Sequence, residues 1–185
     1  MPQSARLTFS VRADGAQPLS DHAAIEVATE DGSASIALTP ASGLTLADAH
    51  VALATLDPAK ALGASAFGAL KFRLVEDGTE SAWQPLVKLV RLPVLRDLRC
   101  REGAKGPCQL TGSDLFLIDS VSDDASFDHA VKAPEGFTGD ALPTPHPTAG
   151  RLYVKLRDDP GVVGRLLWAP GARGAALAVA AKPGG

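Results

Sequence analysis

Polar and apolar residues alternate without a break along Arg6-Leu7-Thr8-Phe9-Ser10-Val11-Arg12. A period of two buries one face of a strand and wets the other. The period recurs at Ala23–Thr29, with Ile25 and Val27 on one face, and at Ser33–Thr39, with Ala34, Ile36 and Leu38. Asp31-Gly32 between them predicts a tight hairpin, because two-residue turns need positive φ. His50–Leu56 reads as a strand through Val51 and Leu53, ended by Asp57-Pro58. Residues 59–68 predict one helical turn, kept short by Gly63 and Gly68. Leu70–Leu74 alternates again, Asp77-Gly78 supplies a turn, and Trp83–Leu92 returns.

Leu92-Pro93 marks a boundary, since proline after a strand stiffens the connection. The strand count then restarts. Val94–Cys100, Cys108–Thr111 and Leu115–Val121 are strand candidates, the third apolar on both faces. Ser122–Gly150 is weakly patterned and broken by Pro134, Pro143, Pro145 and Pro147. Arg151–Arg157 alternates as cleanly as the first strand, and Val162–Trp168 and Ala175–Ala181 complete the set. The pattern predicts an all-β chain of two tandem antiparallel β-sandwiches, residues 1–92 and 93–185.

Composition adds little to this and removes several classes of function. The 185 residues include 18 Gly and 14 Pro, as expected where turns are dense. There are 32 Ala and 24 Leu but 3 Ile and no Asn, a bias that G- and C-rich codons produce, so we read a bacterial source. The net charge of -3 argues against nucleic-acid binding through phosphates. No apolar run is long enough for a transmembrane helix, so no membrane insertion is expected. The start lacks a charged head followed by an apolar stretch, and reads as a segment of a longer exported protein. Arg96, Arg99, Arg101 and Lys105 form a basic stretch, followed by the acidic Asp114, Asp119, Asp123, Asp124 and Asp128.

Two resemblances sharpen the fold class. Leu56-Asp57-Pro58, then Phe72-Arg73-Leu74-Val75, then Gly78-Thr79-Glu80-Ser81-Ala82-Trp83 resemble the second half of a fibronectin type III module. A phenylalanine stands where that family often has a tyrosine. Pro93-Val94-Leu95, Leu110-Thr111-Gly112 and Leu115-Phe116 resemble the opening of a TIG (IPT) domain. These resemblances imply immunoglobulin-like sandwiches, and non-catalytic modules of surface, secreted or multi-domain proteins.

Few residue groups suggest chemistry. If their flanking segments are adjacent strands, Cys100 and Cys108 would form a disulfide, which fits an oxidising compartment. Two reduced thiols, or half of a zinc site, are the alternatives. Asp119, Asp123, Asp124 and Asp128 could collect oxygen ligands for calcium, although Asp and Ser equally serve turns in a solvated loop. Ser120 or Ser122 with Asp128 and His129 supplies the residue types of a hydrolytic triad, but there is no Gly-x-Ser-x-Gly elbow. His146 lies in a proline-rich stretch expected to be polyproline-like, a stiff connection that could dock on a partner. Tyr153 falls on the polar phase of its strand and is a candidate contact residue. Trp83 and Trp168 read as core, with a sugar-stacking surface involving Tyr153 and Phe116 as the alternative.

The expectation is a non-catalytic structural or interaction module, outside the cytoplasm, with no cofactor and with a protein or cell-surface polymer as partner. Contacts are expected from the loops 119–129 and 136–150. A carbohydrate-binding accessory domain of a polysaccharide-active protein is the alternative.

Overall fold

The computed structural model describes residues 1–13, 18–100, 106–167 and, by backbone only, 176–179. The chain is all-β and divides into two compact units, Met1–Arg91 and Leu92–Gly185.

The first unit contains β1 (Leu7–Arg12), β2 (Ala24–Thr29), β3 (Ser35–Leu38), β4 (Leu44–Leu46), β5 (Val51–Leu56), β6 (Gly68–Glu76), β7 (Thr79–Glu80) and β8 (Gln84–Leu89). One antiparallel sheet has the order β1-β5-β4. The other has the order β3-β2-β6, with β7 and β8 both paired to β6. Val11, Leu44 and Leu56 from the first sheet share one core with Ile25, Val27, Leu70 and Leu89 from the second. Burying each such side chain contributes about 1.5–3 kcal/mol. Leu70→Ala in this core would cost about 2–5 kcal/mol. A single helical turn, α1 (Pro58–Ala61), is capped by Asp57, whose side chain accepts from the Lys60 N–H.

Two sequence expectations change here. In β5, Ala52, Ala54 and Leu56 face the core, and Leu53 is 41% exposed. The register explains the phase: Phe9 pairs with Ala54 and Val11 with Ala52, so a large residue sits beside a small one on the inner face. The Asp31-Gly32 turn is also longer than two residues, because Thr29 and Ala34 close it through the Thr29 N–H and the Ala34 carbonyl. Gly32 takes φ +71°, whereas the Asp31 side chain accepts from the N–H and hydroxyl of Ser33. Asp77-Gly78 does form the two-residue turn, with both residues at positive φ (47° and 79°) between paired Glu76 and Thr79.

The second unit contains β9 (Val94–Arg99), β10 (Cys108–Ser113), β11 (Ile118–Ser122), β12 (Val131–Lys132), β13 (Ala141–Thr144), β14 (Arg151–Leu156), β15 (Asp159–Leu167) and β16 (Ala176–Val179). Its sheets have the orders β13-β10-β9 and β12-β11-β14-β15-β16. Leu98, Leu110 and Leu142 of the first sheet and Ile118, Val121, Leu152, Val154 and Leu166 of the second are buried. Gly112 lies at a bulge between β10 and β9, where a Cβ would collide with the Val94 carbonyl.

Leu115–Leu117, expected as strand, form a 3-10 turn, and extended chain starts only at Ile118. Asp114 enters this turn at φ +57°, and its carbonyl accepts from the Leu117 N–H. The first half of the stretch expected as a polyproline connection, Leu142 to Thr144, is instead part of the edge strand β13 (Ala141–Thr144), with Leu142 and Thr144 fully buried, and Pro145 to Pro147 lie outside any strand. Pro143 fits because β13 is an edge and Gln109–Pro143 is the pair that exchanges no bonds with β10. The neighbouring N–H of Gly112 goes to the Asp140 carbonyl, which sets that alternation.

Candidate functional site

The loops expected to carry contacts, 119–129 and 136–150, meet in the second unit. The Thr148 hydroxyl donates to the Asp123 carboxylate at 3.1 Å, across 25 residues of sequence. Asp124 organises the first loop. Its Oδ1 accepts from the Ser126 hydroxyl (2.6 Å) and the Asp128 N–H (3.3 Å), and its Oδ2 from the buried Ser122 hydroxyl (2.9 Å) and the His129 N–H (3.4 Å). These donors, the Ser126 hydroxyl foremost, hold the Asp124 carboxyl well below the usual carboxylate range.

His129 is exposed, with Nδ1 3.8 Å from Asp123 and 3.6 Å from Asp124. Asp123, Asp124 and His129 therefore offer three possible cation ligands within 4.8 Å of one another. Asp119 and Asp128 are not in that group; Asp119 accepts from Ser120, and Asp128 Oδ2 lies 2.8 Å from the Ser126 hydroxyl oxygen that donates to Asp124. A carboxylate has about four lone-pair sites, and four donors already address Asp124. The arrangement is chemically that of a turn held by its own side chains. The hydrolytic constellation is not assembled either: Ser122 and Ser120 donate to Asp124 and Asp119, and both serines are buried.

The same loop folds onto the outer face of β14. Phe127, at φ +66°, places its ring 4.2 Å from the Lys155 ammonium. Half-buried Tyr153 pairs with Ser122 on one side and Arg165 on the other, with the guanidinium 5.9 Å from its ring. Both aromatics thus carry a cation at this face. Phe116 is 43% exposed in the middle of the adjoining 3-10 turn.

Cys100 and Cys108 form a disulfide, with Cα atoms 4.3 Å apart at the end of the β9–β10 pair. His146 is exposed and lies close enough to both sulfurs to form a three-residue cluster with them, but the sulfurs are bonded to each other. Its Nδ1 is 3.2 Å from the Pro147 carbonyl oxygen.

Sequence reasoning missed Arg157, which looks like one more polar position in an alternating strand. Its guanidinium donates to the carbonyls of Phe116 (2.8 Å), Ala133 (3.0 Å) and Pro134 (3.0 Å). It thereby ties the entry of β11 to the segment after β12. Only carbonyl acceptors are involved, so no acidic partner in the sequence announces the contact.

In the first unit Trp83 is 36% exposed, not core as expected, and lies 4.6 Å from the Arg73 guanidinium and 5.1 Å from the Lys71 ammonium. Arg73 also pairs with Glu26 at 2.7 Å and with Glu80. Phe67, which the sequence did not single out, is 49% exposed and meets Arg91. Trp168 and the basic residues Arg101 and Lys105 lie outside the described residues. The chain matches no protein-family model and no curated protein.

Proposed function

We propose that the chain is a non-catalytic structural and interaction module: two tandem immunoglobulin-like β-sandwiches within a larger bacterial protein that works outside the cytoplasm. The observation that carries this reading is the organisation of the 122–129 loop. There the Asp124 carboxylate, the group best placed for acid–base or ligand chemistry, is taken up in holding the loop. Rigid strands that present self-braced loops suit contact and assembly.

The strand order of the first unit supports the immunoglobulin-like assignment. The chain crosses between sheets after β1, after β3 and after β5, as in Greek-key sandwiches. The Cys100–Cys108 disulfide supports an oxidising compartment such as the periplasm or cell surface. The test is alkylation of intact producing cells before reduction. Both cysteines are expected to be protected from alkylation; two alkylated thiols would overturn the exported assignment.

The second reading, a carbohydrate-binding accessory domain, is favoured by the exposure of Trp83. Migration in gels containing soluble polysaccharide tests it: retardation that Trp83→Ala abolishes would replace the first reading.

A further inference from the structure

One edge of the first unit is open. Strand β1 pairs with β5 on one side and, among the described residues, with no strand on the other. The register determines which backbone groups face the open side. The Ala13 N–H donates to the His50 carbonyl, whereas Thr55, opposite Thr8, sends its N–H away to Gly43. Bonded and non-bonded pairs alternate in an antiparallel ladder. Leu7, Phe9 and Val11 therefore bond to β5, and the N–H and C=O groups of Thr8, Ser10 and Arg12 point out of the sheet. The Thr8 and Thr55 hydroxyls approach to 3.2 Å, as expected of the closer, non-bonded pair.

Beside this edge lies a cleft of about 980 Å³ between β1 and the second sheet. Val11, Phe72 and Leu74 form an apolar floor, and Ser10, Glu76 and Gln84 contribute polar walls. Glu76 Oε1 accepts from the Ser20 N–H at 2.9 Å, whereas Oε2 is buried with no hydrogen-bond partner. Asp77 adds a second negative charge at the lining, against the single cation Arg12 among the described lining residues.

The geometry points to this cleft as a docking groove for an extended, lysine- or arginine-bearing peptide of a partner protein, added to β1 as a further strand. The peptide backbone meets the outward-pointing groups of Thr8, Ser10 and Arg12, and alternate side chains reach the apolar floor. The basic side chain pairs with the acidic lining supplied by Glu76 and Asp77. A second copy of β1 is a poor occupant, because its inward residues Phe9 and Val11 already pack in their own core. The inference deepens the interaction role proposed above and rests on it.

The test starts from a phage-displayed random peptide library selected on the full chain. A recovered peptide is titrated against the wild type, Ser10→Pro and Glu76→Gln, with backbone amides followed by NMR. Recovered sequences are expected to carry a basic residue within alternating apolar positions, and to shift the amides of Thr8, Ser10 and Arg12. Ser10→Pro removes a donor that β5 does not use and should weaken binding by about tenfold or more. Glu76→Gln should weaken the basic peptide and leave its Lys→Leu or Arg→Leu analogue unchanged. If Ser10→Pro does not fold, Glu76→Gln and the amide map decide.

Failure to recover any binder, or binding that neither variant alters, would overturn the groove. So would a concentration-dependent dimer that protects the same amides without peptide. Peptides that bind elsewhere overturn the groove and leave the interaction role standing. Reduced thiols in producing cells would overturn the exported role without touching the groove measurement.

Discussion

In the first unit Asp77 and Gly78 both take positive φ and reverse the chain within two residues. In the second unit the passage from β11 to β12 needs Asp124, with its four donors, and the segment after β12 needs Arg157, with its three carbonyls. A tight turn leaves few backbone groups unpaired, because the ladder resumes at once. A long loop leaves many, and side chains must take them. The Asp77-Gly78 passage is thus held by turn conformation, whereas the passages around β12 need cross-links made by single side chains.

Breaking those cross-links should separate the units. Reducing Cys100–Cys108, or replacing both cysteines with serine, is expected to cost the second unit about 2–3 kcal/mol by the loop-entropy argument. Urea unfolding followed by hydrogen exchange should show Leu110 losing protection while Leu70 keeps it; equal loss at both would erase the contrast. Arg157→Ala should cost about 1–2 kcal/mol, since three carbonyls lose a charged donor. Arg157→Lys should recover little of this, because one ammonium does not reproduce the planar fork.

In the first unit, Gly78→Ala should cost about 1 kcal/mol. No atom crowds the new Cβ, so the whole effect comes from φ +79°. A neutral result would mean the turn can change type. Asp124→Ala is expected to have a local effect, faster amide exchange at Asp128 and His129 with the unit still folded; unchanged exchange there would show that the backbone holds itself.

Acid gives the smallest and most selective contrast. Hydrogen bonds from Thr29 and then Ser33 lower the Asp31 carboxyl from 3.8 to about 2. A depressed carboxyl stabilises the fold above its ordinary pKa and loses that contribution as pH falls through the folded value. The amide of Ser33 should therefore loosen between about pH 4 and pH 2. The Asp128 amide, held by Asp124, whose carboxyl is also lowered, should likewise stay protected until the pH falls below the ordinary carboxylate range. Loosening of either amide well above pH 4 in an NMR pH titration would contradict the assigned donors.

Fold class was legible because period-two alternation in β1, β2 and β14 is a direct print of one buried face. The phase of β5 was not, since alanine carries too little hydrophobic signal to announce that Ala52 and Ala54 face inward. Strand β4 has three residues and β12 two, too few to show a period. Prolines 143, 145 and 147 suggested a connection, and only the edge position reconciles Pro143 with pairing. Around the candidate site, Asp123, Asp124 and His129 were visible as residue types. The Thr148 tether was not, because a hydroxyl 25 residues away gives no local cue.

Pro143 has one more consequence. The backbone nitrogen it lacks as a donor is the one that would face outward from β13, so that margin is half blind to an incoming chain. Where many such modules stand close together, this rim resists zippering into fibrils.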